Sequence, residues 1–241
     1  QFHADSYKHL PCIICGAGPS LKKQIPFLKT LKNKALIIAS GTAITILTKN
    51  GIVPHMGVAL DPLEEELQRL SSHQGYEMPL FYSHRIYHKA LSLFHGDLNY
   101  LSCDYWYQTM IYMEKKLGIS SELRSKYSYG GGCSSVTIAL LIAKAMGFHT
   151  MALCGVDLAY TDQKRYSDEN LDVTHPHARE KQWKPLVETK DIEGKSITTR
   201  WEWMNESQWI EEFAKGCSEQ RVINATEGGI GISGLKNISL R

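Results

Sequence analysis

Short apolar runs of strand length alternate along this chain with glycine-containing turns and with stretches of helical periodicity. Cys12-Ile-Ile-Cys15 is the first such run, and it breaks into Gly16-Ala-Gly-Pro-Ser20 before Leu21 opens a helix expected to reach Leu31, with Pro26 near its beginning or at a break. Ala35 to Ala39 is the second run, followed by Ser40-Gly-Thr42 and a helix from Ala43 to Asn50 that Gly51 closes. Met56 to Leu60 is a third strand that delivers Asp61 at its carboxyl end. Three strand-turn-helix units in about sixty residues predict a mainly parallel sheet with helices on its faces.

The pattern weakens and then returns. Leu63 to Leu70 is amphipathic and acidic and reads most simply as a solvated helix, and Pro79 to Ser83 reads as a fourth strand ending in Ser83, His84 and Arg85. Residues 86–129 are rich in Tyr and His and have little periodicity, as expected of a helical, aromatic insertion; such aromatics either pack a subdomain or line a sugar or base pocket. Gly130-Gly-Gly-Cys-Ser-Ser135 then runs into an apolar helix from Val136 to Met146, and Phe148 to Leu153 gives a strand that ends in Gly155-Val-Asp157-Leu. Residues 160–195 are long, polar and irregular, the character of a lid or binding loop. A helix from about Asn205 to Cys217 and a last strand from Arg221 to Ala225 lead into a third glycine-rich turn beginning at Asn224. The division expected is a lead-in over residues 1–10, continuing from a preceding segment, and a single domain over 11–241.

Composition narrows the function classes. With 27 Lys and Arg against 25 Asp and Glu, the formal net charge is +2, and no basic block supplies the stripe that nucleic-acid binding needs. No window approaches eighteen uninterrupted apolar residues, so no membrane span is expected. Cys12 and Cys15 fall on opposite faces of a strand, which suits neither a disulfide nor a shared metal; they read as small core residues in a reducing, cytoplasmic compartment.

The candidate chemistry gathers at predicted strand ends. Gly16 and Gly18 would let backbone N–H groups approach a ligand, and Ser20 could cap the following helix while its hydroxyl faces the same space. A helix start behind such a turn favours anions, phosphate above all. The spacing is neither GxGxxG nor GxxxxGK[ST], so neither the dinucleotide nor the P-loop fingerprint applies. Ser40, Thr42 and Asp61 end the second and third strands; Gly132, Ser134 and Ser135 open a later helix; Asp157, Asn224 and Thr226 follow the last two strands. Open α/β sheets bind ligands at the carboxyl ends of their strands, so these groups can share one crevice. Asp61 before Pro62 can equally set a turn, and Asp157 can anchor a loop by accepting backbone N–H bonds. His175-Pro-His177 suits a general base or a surface pair better than a metal site.

Taken together, Gly16-Ala-Gly-Pro-Ser-Leu21, Leu60-Asp-Pro62, the Gly-Gly-Cys-Ser-Ser helix start, Gly155-Val-Asp-Leu-Ala-Tyr-Thr-Asp162 and Asn224-Ala-Thr-Glu-Gly-Gly229 resemble the central domain of the motility-associated-factor proteins. The resemblance covers roughly residues 11–235. It implies a flagellin glycosyltransferase that moves nonulosonic acids to Ser or Thr, within a domain family that also includes archaeal 6-hydroxymethylpterin diphosphokinases. The domain is also similar to bacterial sialyltransferases that use CMP-sialic acid, which implies an α/β, Rossmann-like, GT-A-related fold. By that likeness Gly16, Gly18 and Ser20 contact the nucleotide, Ser134 and Ser135 hold the donor's phosphate or carboxylate, and Tyr160 with Tyr166 bind the leaving phosphate. Tyr166 stands where the motility-associated proteins usually carry a His, and His175 or His177 is the candidate base. Transfer of this kind implies a CMP-sugar donor, a protein or glycan acceptor and no required cofactor. The diphosphokinase alternative implies ATP and Mg²⁺ held by Asp61 and Asp157; a third reading is a catalytically silent nucleotide-binding module.

Overall fold

A computed structural model describes residues 7–31, 34–102, 108–118, 134–171 and 185–240. Seven strands form one sheet in which each neighbouring pair is parallel: β1 (Cys12–Cys15), β2 (Leu36–Ser40), β3 (Met56–Ala59), β4 (Leu80–Ser83), β5 (Leu98–Leu101), β6 (Thr150–Cys154) and β9 (Arg221–Asn224). Their spatial order is β5-β4-β3-β2-β1-β6-β9. The chain steps outward from β1 to β5 on one side and then returns to lay β6 against the other side of β1. The reversal opens a crevice above the carboxyl ends of β1 and β6, where Rossmann-like α/β sheets take their ligands.

Both faces of the sheet are covered, which is why β1 reads as an unbroken apolar run rather than an alternating one. Ile13 and Cys15 pack towards α1 (Leu21–Thr30) and α2 (Ala43–Lys49), whereas Cys12 and Ile14 pack towards α5 (Ser135–Ala145) and Ile210 of α6 (Trp201–Lys215). The two cysteines therefore do fall on opposite faces. Their thiols, and that of Cys154, are fully buried and free, and burial pushes all three well above the ordinary thiol range. Pro26 lies inside α1 without ending it, because it sits on the solvent face while Leu21, Gln24, Ile25 and Leu28 form the buried stripe. Gly51, at φ 75°, follows α2 in the left-handed conformation expected of it.

Three stretches differ from their sequence reading. The acidic helix α3 (Glu64–Leu70) is not simply solvated: Glu66 and Arg69 are buried because they pair with each other. The stretch 86–129 is not wholly an inserted subdomain, since it supplies the edge strand β5; helix α4 (Gln108–Lys116) follows, and the remainder of its aromatic segment lies outside the described residues. The stretch 160–195 contributes β7 (Leu186–Lys190), which pairs antiparallel with β8 (Ser196–Arg200) just beyond it. The turn between them is set by Asp191, whose Oδ1 accepts from the amides of Glu193 and Lys195, both at 2.8 Å, with Gly194 at φ 84°. The alternating half-exposed pattern of this hairpin is mostly polar, so its hydrophobic signal is faint.

Candidate functional site

A cleft of about 540 Å³ opens above β1, β2 and β6, within the usual range for small-molecule sites. The turn after β1 contributes Gly16 and Gly18, and the turn after β2 contributes Ser40 and Thr42. Asp61 follows β3, while Glu66 and Arg69 project from α3. The start of α5 brings Ser134 and Ser135, the turn after β6 brings Asp157, and Arg85, Arg165 and Tyr166 also line the cleft. The first turns of α6 supply Trp203 and Glu206.

The glycine turns owe their composition to one another more than to open space. The N–H of Gly16 donates to the carbonyl of Cys154 and that of Gly18 to the carbonyl of Gly155, both at 2.8 Å, so neither is available to a phosphate. A Cβ on Gly18 would lie 2.1 Å from Asp157 Oδ1, and one on Gly229 would lie 1.8 Å from the Asp157 carbonyl oxygen. The glycine turns after β1 and β9 thus close on Asp157, which is 1% exposed. Its carboxylate accepts from the Ser20 hydroxyl at 2.6 Å, from the Ser20 amide at 3.2 Å and from the Thr161 hydroxyl at 2.8 Å. Burial pushes the Asp157 carboxyl above its ordinary range, and these hydrogen bonds pull it partly back.

Ser20 accordingly does not cap α1 with its hydroxyl, which is committed to Asp157 and lies outside the cleft wall. Asn224 and Thr226 are also removed from the wall. Asn224 accepts from the Thr226 amide and donates to Asn237, while the Thr226 hydroxyl accepts from the Val156 amide at 3.0 Å. Thr226 thus fastens the end of β9 to the turn after β6, and Asn224 fastens it to Asn237. The Tyr160 hydroxyl accepts from the Arg200 guanidinium, and Arg200 lies over both the Tyr160 and Trp203 rings, so Tyr160 stands behind the wall while Trp203 forms it. Gly132, His175 and His177 lie outside the described residues.

Three charged groups that the sequence reading left unassigned are built into the cleft. Arg69 Nη2 bridges Asp61 Oδ2 at 2.6 Å and Glu66 Oε2 at 2.9 Å. Asp61 also accepts from the Leu63 amide at 3.1 Å, the turn-setting role open to it before Pro62. Glu66 is pushed up by burial, against the pull of Arg69, and its Oε1 together with Arg69 Nε is buried without a partner among the described residues. Glu206 is the third group. It is 7% exposed, burial raises its carboxyl, and Ser134 donates to its Oε1 at 2.5 Å. Ser134 also caps α5 reciprocally with Thr137.

The carboxylates do not form a ready Mg²⁺ site. Arg69 already holds the position a cation would take beside Asp61, and the Asp157 oxygens face hydroxyl and amide donors. Among the described residues no three His, Cys, Asp or Glu side chains converge as metal ligands.

The fold has a solved counterpart. The structure of the MAf glycosyltransferase from Magnetospirillum magneticum AMB-1 superposes with a TM-score of 0.68 at 20% identity, over 98% of this chain and 34% of that one. This chain therefore spans about a third of that enzyme's length. No curated protein matches the sequence. The profile of the family described as 6-hydroxymethylpterin diphosphokinase MptE-like matches residues 1–163, more than half of the chain. With its glycine turns, parallel sheet and switch-point cleft in place, this chain belongs to the MptE-like family.

Proposed function

We propose that this domain is the donor-binding part of a glycosyltransferase that moves a sialic-acid-like nonulosonic sugar from a CMP-activated donor to a hydroxyl of a protein or glycan, flagellin-like Ser or Thr being the model acceptor. The observation that carries the reading is the cleft at the β1/β6 reversal, whose lining combines Ser40, Thr42 and Ser135 with Arg85, Arg165 and Tyr166. Hydroxyls suit a nucleoside and a sugar, and guanidinium groups suit a phosphate. The likeness in fold to the MAf glycosyltransferase supports the same class of reaction.

In this reading the CMP phosphate leaves towards Arg165 and Tyr166, with the Arg165 guanidinium centred 4.9 Å from the Tyr166 ring. Donors aimed at the departing oxygen stabilise it without a metal ion. The arrangement of Asp61 and Asp157 against protein donors favours metal-independent transfer over the Mg²⁺-dependent diphosphokinase chemistry that the family's description offers. Free, buried thiols accord with a reducing, cytoplasmic setting, and no helix among the described residues is long and apolar enough to cross a membrane.

Calorimetric titration with CMP and with ATP, each with and without Mg²⁺, tests the proposal. CMP binding that needs no Mg²⁺ and weakens at least tenfold in Arg165→Ala is the expected result. ATP binding that requires Mg²⁺ and disappears in Asp61→Asn would replace the reading with the diphosphokinase. Binding of neither nucleotide would refute both.

A further inference from the structure

We infer that Glu206 is the proton acceptor of the cleft, the residue that takes the proton from the hydroxyl being glycosylated, and that Ser134 positions it. The inference rests on the glycosyl-transfer reading and assigns a role that reading leaves open. Glu206 reaches the cleft from α6, one turn beyond Trp203, and is nine-tenths buried there. One carboxylate oxygen is fixed by the Ser134 hydroxyl at 2.5 Å. The other has no hydrogen-bond partner among the described residues and is not sealed from the cleft.

The alternatives along the wall are already occupied. Asp157 is filled by Ser20 and Thr161, Asp61 is paired with Arg69, and Glu66 is tied to the same guanidinium. Among the described residues Glu206 has no cationic partner, so no ion pair there spends its basicity. The other ionisable groups of the cleft are the Asp61–Glu66–Arg69 triad, Arg85, Asp157, Arg165 and Tyr166, and none of them contributes to its displacement. Burial raises the carboxyl towards working pH, the direction that makes a carboxylate a better base, while the Ser134 hydrogen bond keeps its ionised form accessible.

The chemistry balances without a co-reactant. The acceptor oxygen bonds to the anomeric carbon, its proton passes to Glu206 Oε2, and the bond from the anomeric carbon to the CMP phosphate breaks with its electron pair on the phosphate oxygen. Glu206 then returns the proton to solvent.

The test compares wild type, Glu206→Gln, Glu206→Asp and Ser134→Ala. It follows consumption of CMP-N-acetylneuraminate across pH and measures CMP affinity by calorimetry. Glu206→Gln should lower kcat by about 10²-fold or more, the usual worth of a general base, with CMP affinity within about threefold of wild type, and Glu206→Asp should recover part of the rate. Activity should fall as pH drops through the Glu206 pKa. Ser134→Ala removes a bond to the ionised form, so it should move that acid limb to higher pH. Undiminished turnover in Glu206→Gln, an unmoved acid limb in Ser134→Ala, or a loss of CMP affinity equal to the loss of rate would each overturn the inference and leave the transfer reading standing. Wild-type protein that binds CMP but consumes no donor would overturn both.

Discussion

Replacing Asp157 removes the anchor on which the turns after β1 and β9 close, and the structure sets the size of the effect. In Asp157→Ala the Ser20 amide and hydroxyl lose their acceptor at a position only 1% exposed, where water cannot replace it. An orphaned buried donor costs about 1–3 kcal/mol. Thr161 is half-buried and can turn to solvent, and the desolvation of the carboxylate is recovered, so a net loss of about 3 kcal/mol follows, a large share of the roughly 5–15 kcal/mol typical of a domain. Asp157→Asn should cost only about 1 kcal/mol, since its oxygen can still serve Ser20 and its NH₂ can donate to the Thr161 hydroxyl. The pH dependence carries a sign. The folded-state pKa is raised, so the native protein holds its proton longer than the unfolded chain. Wild-type stability therefore declines as pH rises from the unfolded pKa to the folded one, and the Asn variant lacks that component. The deficit of Asp157→Asn relative to wild type should shrink between about pH 3.5 and neutrality, a window opened by the ordinary Asp pKa. Urea denaturation at both pH values measures this. An Asp157→Ala protein within about 1 kcal/mol of wild type, well below the cost of two orphaned donors, would refute the reasoning.

Further substitutions separate close approach from backbone freedom. Gly18→Ala puts a Cβ 2.1 Å from Asp157 Oδ1 and should destabilise by more than about 2 kcal/mol and weaken CMP binding, whereas Gly51→Ala, with nothing within 4 Å, should cost only the left-handed strain of about 1 kcal/mol; urea melts compare them. Arg69→Met strands the Glu66 carboxylate, 2% exposed, and should cost about 3–5 kcal/mol, much of it recovered when Glu66→Gln is added, as a double-mutant cycle in urea would show. Cys12, Cys15 and Cys154 should resist a thiol reagent in the native protein and react on unfolding, because burial denies access and suppresses the thiolate; rapid native labelling of any of them, read by mass spectrometry, would contradict their placement.

Most of the parallel sheet was legible in the sequence because strands buried on both faces must be continuously apolar. β1, β2, β3 and β6 carry that signature, and they and the edge strand β9 lie within two residues of where the pattern puts them. β5 and the β7–β8 hairpin lack it: Leu98 is 45% exposed at the sheet edge, β7 alternates exposed with half-buried positions, and the two buried residues of β8 are the polar Thr199 and Arg200. Local periodicity does not mark a strand that buries so little. The glycine turns were equally visible, and their placement at the carboxyl ends of β1, β6 and β9 follows from the order of elements.

The sequence by itself determined the α/β alternation, the positions of the turns and the residues from which a cleft could be made. The tertiary structure decided what each residue faces. Gly18 is small because Asp157 lies against it, Ser20 serves Asp157 instead of its own helix, and away from the cleft Thr226 ties the end of β9 to the turn after β6 while Asn224 holds Asn237. Glu66 and Arg69 pair three residues apart on one helix, a spacing that by itself reads as a solvated surface pair, and Glu206 sits in a charged helix where nothing local marks it as buried. A hydrophobic pattern reports how much of a residue is buried on average, whereas the partners of buried Asp157, Glu206 and Thr199 are groups brought in from 40 to 140 positions away, Ser20, Ser134 and Leu158.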